Sequence, residues 1–259
     1  MWKFALPLLV VLLAFAHAGD DRASRMVPTG SFSKKSSFNA DFSNAVKSKL
    51  SGSIKDLINR WLNPTCKNCT ASLTNWGGNF QFQAKHIEYP RSTQEVVNIV
   101  KNSLGKVRAV GNRHSFSTIA DTTDTLVSLS AMTSILGVNT DDLTITVQAG
   151  AKYTDVMPFL EFVTLALPAQ SSLAEISIAG AMSTGAHGSG YTVQNLASQV
   201  VGMQMVLANG TVANFTRKND KQMMQALGVG LGVGGIITEV TLQTEPRYDM
   251  QTFVFQKWV

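Results

Sequence analysis

The sequence predicts an α+β fold, with a first part suited to parallel strands and a second part that is mainly antiparallel. Three observations lead there. Residues 92–110 read as a capped helix running into an apolar strand, the succession from which parallel sheets are built. Residues 200–215 are two apolar–polar alternating arms that meet at Asn209-Gly210. That dipeptide suits a tight primed hairpin turn, because both residues tolerate positive φ. Residues 236–243 alternate again, as a half-buried strand does. A hydrophobic content of 44% against 15% charged residues supports a packed core rather than disorder.

Taken in order, the first 18 residues stand apart. Met1-Trp2-Lys3, an apolar run over 4–16 and Ala16-His17-Ala18 have the order of a secretory signal peptide with its Ala-x-Ala cleavage site. The run is shorter than the roughly 20 residues a membrane-spanning helix needs, so export is expected and a stable membrane span is not. Residues 19–72 read as a flexible leader, rich in Ser, Lys and Asn up to about residue 42. Val46, Leu50, Ile54, Leu57 and Trp61 then fall at helical spacing, weakened by Gly52. Cys66 and Cys69 form a Cys-x-x-Cys, a redox pair in reducing compartments but a local structural disulfide in an exported chain. Asn68-Cys69-Thr70, Asn209-Gly210-Thr211 and Asn214-Phe215-Thr216 are glycosylation sequons, which agree with export.

The formal charge of +5 raises the question of a nucleic-acid partner. Residues 19–60 hold eight Lys/Arg against four Asp/Glu, whereas from Trp61 onward there are thirteen of each sign. The surplus therefore belongs to the leader. The folded part lacks the dense Lys and Arg that binding to a phosphate backbone requires, and no nucleic-acid partner is expected.

Within residues 73–250, Ser92 caps a helix and Glu95, three residues on, completes a capping box. Val96, Val97, Ile99, Val100 and Leu104 make its apolar face. Strands are predicted at 106–110, 126–129 and 143–149, and helices at 153–162 and 220–227.

Three stretches invite a chemical reading. Gly230-Leu231-Gly232-Val233-Gly234-Gly235 satisfies G-x-G-x-x-G, but a dinucleotide fingerprint needs strand before helix, and here the order is reversed. A close-packed backbone connection is the better reading. At Ala109, Val110, Gly111, Asn112, Arg113, His114 and Ser115, a strand breaks into a loop whose N–H groups suit an anion nest, with Arg113 adding charge. His114 is either a surface or hydrogen-bonding histidine, or a neutral imidazole serving as nucleophile or ligand. Residues 177–190 are almost all small, so a ligand could lie against the main chain there, although a plain loop has the same composition.

Together these stretches resemble the alditol oxidase and aldonolactone (gulonolactone, arabinonolactone) oxidase group of the vanillyl-alcohol oxidase superfamily. Residues 106–121 are similar to the group's FAD loop, and Asn75-Trp76-Gly77-Gly78-Asn79 to its Asn-Trp-(Ala/Gly)-Gly-Asn opening. Residues 176–190 resemble its Ile-Ser-x-Ala-Gly-x-x-x-Thr-Gly-x-His-Gly-Ser-Gly run, and residues 227–242 its Leu-Gly-x-x-Gly ending. The resemblance covers about residues 73–250.

The resemblance implies a PCMH-type FAD-binding domain of two α+β subdomains. Residues Ala109 to Ser115 would hold the FAD pyrophosphate, with His114 where the flavin is commonly bonded covalently. Ser177, Gly185, Ala186, His187 and Gly188 would line the cofactor, and Ile236 or Ile237 would meet its adenine end or nearby backbone. A small polyol or sugar lactone would give up a hydride, with molecular oxygen as the final acceptor. Group members continue into a substrate domain that supplies the groups beside the reacting carbon. Residues 251–259 read as its beginning and no catalytic residue can be assigned, so a truncated oxidase and a non-catalytic secreted flavin-binding module both stand as expectations.

Overall fold

The computed structural model describes residues 73–255. The signal segment, the helix expected at 43–61, Cys66, Cys69 and the sequon at Asn68 lie outside the described residues.

Helix and strand alternate first. β1 (His86–Glu88) leads into α1 (Thr93–Asn102), then β2 (Val107–Val110) and β3 (Thr125–Ser128). The three strands are parallel in the order β1-β3-β2, and every residue of central β3 is buried. Ser92 starts α1 as expected, its Oγ accepting the Glu95 N–H at 3.2 Å. The Glu95 carboxylate reaches one residue further back than a closed capping box requires, taking the Arg91 N–H at 2.8 Å. At the other end the Ser103 hydroxyl donates to the Ile99 carbonyl at 2.7 Å, and the helix stops. Leu104, expected on its apolar face, lies beyond this cap and is fully exposed.

The rest of the chain follows as β4 (Ile135–Asn139), β5 (Thr144–Gln148), α2 (Tyr153–Phe162), short β6 (Leu165–Ala166) and α3 (Ile178–Ser183). Then come β7 (Val200–Val206), β8 (Val212–Thr216), α4 (Lys221–Gly228), β9 (Ile236–Gln243) and β10 (Glu245–Pro246). Five of these strands form an antiparallel sheet in the order β4-β5-β9-β7-β8. β6 and β10 pair separately. No helix among the described residues is long and apolar enough to cross a membrane.

The hairpin between β7 and β8 exists, but its turn differs from the one expected. Leu207 N–H donates to the Thr211 carbonyl at 2.9 Å, and Gly210 N–H to the Leu207 carbonyl at 2.8 Å, so the loop holds three residues. Only Gly210 takes a left-handed φ, +77°. Asn209 keeps a negative φ and uses its Oδ1 to accept the Thr211 N–H at 2.9 Å. An Asx-turn followed by a left-handed glycine replaces the two-residue primed turn.

The two sheets share one core. Val96 and Val97 of α1, Val127 of β3, Ile145 and Val147 of β5, Met203 and Met205 of β7 and Val240 and Leu242 of β9 pack in a single cluster. Ile178, Ala181 and Met182 of α3 belong to it. A smaller cluster around Phe82, Val110 and Leu126 covers the outer side of the parallel sheet. Thr93 of α1 bonds Gln204 of β7 at 3.0 Å, tying the parallel part to the antiparallel sheet.

Gly150, just after β5, donates its N–H to the Met132 carbonyl at 2.9 Å, and a Cβ there would overlap the Leu129 carbonyl oxygen. Gly150→Ala is expected to cost about 1–3 kcal/mol, the range of overpacking in a tight interior, in denaturant unfolding. Gly137→Ala, where a Cβ meets nothing within 4 Å, is the control. Equal loss in the two variants would show that crowding at Gly150 is not the cause.

Candidate functional site

A cleft of about 370 Å³ opens where the end of β2, the start of α3 and the glycine-rich connection into β9 converge. Its floor is made by small side chains, Ala109, Ala149, Ala179, Gly180, Ala181 and Ala186. Phe116, Ile119, Leu129 and Ile176 supply apolar walls.

Ser177 joins two of these elements. It is buried, with 1% of its surface exposed. Its Oγ sits so close to the Cα of Gly111 that any Cβ there would overlap it, and a Cβ on Gly180 would lie 2.7 Å away. The position is fixed by main-chain bonds. Ile178 N–H donates to the Ala151 carbonyl at 2.8 Å, Ala181 N–H to the Ser177 carbonyl at 2.9 Å, and Ser177 bridges Lys152. The stretch 177–190, whose composition suited either a ligand-lining main chain or a plain loop, opens as helix α3. Its alanines and glycine hide a helix because they carry no apolar periodicity.

Beyond Val110 the chain turns away from its neighbour strand. No backbone N–H from Gly111 to Phe116 has an acceptor among the described residues, and neither do those of Ala179 and Gly180 in the first turn of α3. Two sets of N–H groups without an acceptor among the described residues thus belong to residues that line one cleft, an arrangement that suits an anion. The loop is braced from behind. Asn112 Nδ2 donates to the Glu175 carbonyl, and Arg113, at a left-handed φ of 64°, donates from Nη1 to the Thr74 carbonyl at 2.8 Å. That Nη1 is committed to tying the loop to the preceding segment.

His114 lines the cleft half-buried, with the Trp76 indole stacked on it at 5.2 Å and 23°. Burial holds its pKa below the ordinary 6.5; Arg113 and Lys152 push the same way and Glu175 opposes them. The imidazole is thus kept neutral at pH 7, with a lone pair available for a nucleophile or ligand role.

All seven residues from Ala109 to Ser115 line the cleft, as do Ser177, Ala186 and Ile237. Gly185, His187, Gly188 and Ile236 do not. Gly185 closes α3 through its N–H to the Met182 carbonyl at 3.1 Å. His187 turns aside and donates from Nδ1 to the Gly188 carbonyl at 2.9 Å. Ile236 is buried in β9 opposite Val206, and its neighbour Ile237 points the other way, into the cleft. Ile119 and Ala120, within the 106–121 match, also line the cleft, as do Leu129 and Ala149, which belonged to no motif. The Gly230–Gly235 run lies between α4 and β9, helix before strand as read, and contributes Leu231, Gly232 and Gly235 to the cleft wall.

This cleft at a strand-to-loop junction, backed by an antiparallel sheet, belongs to a recognised class. The chain is a member of the FAD binding domain family, whose profile matches residues 84–216. It is 32% identical to a Streptomyces alditol oxidase over 188 residues, covering 72% of this chain and 45% of that protein. It is 33% identical to the L-gulono-1,4-lactone dehydrogenase of Mycobacterium tuberculosis, covering 68% and 41%, and 32% identical to bovine L-gulonolactone oxidase, covering 67% and 39%. The chain spans less than half the length of these curated relatives. Among solved structures, FgChi7B shares the fold at a TM-score of 0.59 and 23% identity, covering 66% of this chain and 37% of that one. The Physcomitrella patens BBE-like 1 variant D396N does so at 0.56 and 22%, covering 62% and 36%. The architecture is that of a PCMH-type FAD-binding domain, and FAD is its cofactor.

The residues present fit that cofactor. Gly111 and Gly180 carry no Cβ, so the Ser177 hydroxyl can sit against both, and the N–H groups of the two segments complement a diphosphate. Gly111→Ala is expected to weaken FAD binding at least tenfold in a fluorescence titration, and adding Ser177→Gly to regain most of that loss. If the double variant stays as weak as the single one, the Ser177 contact is not what demands glycine at 111. His114 also makes a pH prediction. The unfolded chain takes up this proton near 6.5 and the folded chain only at lower pH, so stability falls as pH drops below 6.5. Replacing His114 with Asn should flatten that decline in denaturant titrations across the acid range.

Proposed function

We propose that the chain is the cofactor half of an oxidoreductase that removes a hydride from a CH–OH group of a sugar alcohol or aldonolactone, with oxygen as acceptor. The observation that carries this reading is the neutral His114 beside two converging sets of free backbone donors, in a chain whose relatives are named for alditols and gulonolactones. Bound FAD would supply the two-electron acceptor. The chain's own residues would bind and orient it, the diphosphate against residues 111–116 and the start of α3. His114 is proposed as the covalent tether: its unprotonated nitrogen would replace one hydrogen on a carbon of the flavin, that hydrogen leaving as a proton and the two electrons passing into the flavin ring, from which oxygen, the proposed acceptor, would take them. Export is proposed from the order of residues 1–18, with exposed Asn209 and Asn214 as glycan acceptors.

One observation favours a second reading, a non-catalytic flavin-binding module. Among the described residues no carboxylate lines the cleft, and the titratable groups that do are Arg108, Arg113 and His114. A substrate hydroxyl would therefore find no acidic partner among the described lining residues.

Purified protein is expected to be yellow and to release hydrogen peroxide with xylitol, sorbitol or gulonolactone. Colour without peroxide selects the module. Colourless protein that cannot be loaded with FAD sinks both readings. Flavin fluorescence should stay with the denatured band on a gel and vanish in His114→Ala; persistence there removes His114 from the linkage.

A further inference from the structure

Residues 75–79, Asn-Trp-Gly-Gly-Asn, lie along the His114 loop, and most of them have a visible structural task. Asn75 donates from Nδ2 to the Ser115 carbonyl at 3.0 Å, and Asn79 to the Phe116 carbonyl at 3.1 Å. Trp76 N–H donates to the Arg113 carbonyl at 2.8 Å. Gly77 lies against Phe116, where a Cβ would come within 2.6 Å of the ring. Gly78 N–H closes the turn on the Asn75 carbonyl at 3.1 Å.

The Trp76 side chain is the exception. It is 57% exposed and belongs to neither core cluster. Its ring partners among the described residues are His114, stacked at 5.2 Å, and Phe116, edge-on at 6.4 Å and 87°. His114 and Phe116 line the cleft, and Trp76 does not. The indole therefore covers the imidazole from outside and leaves the rest of the ring toward the cleft, while three hydrogen bonds hold the two backbones together.

We propose that Trp76 is a positioning residue for His114, its indole plane setting the orientation in which the imidazole meets the flavin at the mouth of the cleft. This rests on the reading of His114 as the flavin's partner. A stacked pair of this kind biases a side chain's orientation roughly two- to tenfold. The indole also keeps water from one face of His114, in the same direction as the burial that lowers its pKa.

The test uses the full chain from a riboflavin-limited host, with Trp76→Ala and Trp76→Phe beside the parent. After FAD is added, the growth of fluorescence that survives denaturation is followed in time, and His114 is titrated by NMR before FAD is added. Trp76→Ala should incorporate flavin roughly two- to tenfold more slowly and titrate at higher pH, while Trp76→Phe stays near the parent in both. Reversible FAD affinity should be unchanged in either variant, because Trp76 lies outside the cleft. Parent-like incorporation, or a titration midpoint that stays put or falls in Trp76→Ala, overturns the proposal. If the parent itself gains no denaturation-resistant fluorescence, the covalent reading of His114 fails, and the titration still decides the role of Trp76.

Discussion

The cleft depends on the seat of one hydroxyl. Ser177 Oγ lies against the Cα of Gly111 on one side and that of Gly180 on the other, so only that hydroxyl separates the end of β2 from the start of α3 at this point. Push them apart by one methyl group and the free N–H groups of the two segments no longer face a common volume. Close approach also explains why the surrounding residues are small. A larger side chain at Ala109, Ala179 or Ala181, all of which line the cleft, would reduce its volume. Glycine at 111 thus serves steric access rather than turn geometry.

That seat is held by a scaffold made from both sheets. α3 packs its Ile178 and Met182 into the shared core and donates its first N–H, that of Ile178, to the Ala151 carbonyl after β5. The Gly111 loop hangs from β2, on the edge of the parallel sheet. Neither sheet alone could hold both halves of the site. The Thr93–Gln204 bond and the common core are what make their relative placement a property of the fold.

Much of this was legible in the residues. Alternation located β9 and the helical pattern located α2 at their observed bounds, because strong periodic burial leaves one register for each. The loop 109–115 was legible because a strand ending in Gly-Asn-Arg-His has few structural uses. β4 was missed, since Gly137 and a register shift beside it interrupt its pattern. α3 was missed because alanine, glycine and serine show no face. Of Gly185, His187, Gly188 and Ile236, none reaches the cleft: a motif marks a neighbourhood, whereas helix closure and strand alternation decide which side chains face inward. For His114 the residues offered a neutral imidazole as one of two alternatives, whereas the lowering of its pKa arises from burial and from Arg113 and Lys152 brought close by the fold.

The order of the antiparallel sheet bears on how the molecule is made. β9 is the central strand, yet among the five it is the last to leave the ribosome. Until it arrives, β5 and β7 each have an open edge, and the Thr146–Thr241 hydroxyl pair at 2.9 Å closes a separation of 95 residues. Contacts of such range form slowly, and open strand edges pair readily with other chains. The nascent protein therefore passes through an interval in which two apolar strands await a partner still being synthesised, and its yield in any host will depend on how well that interval is chaperoned.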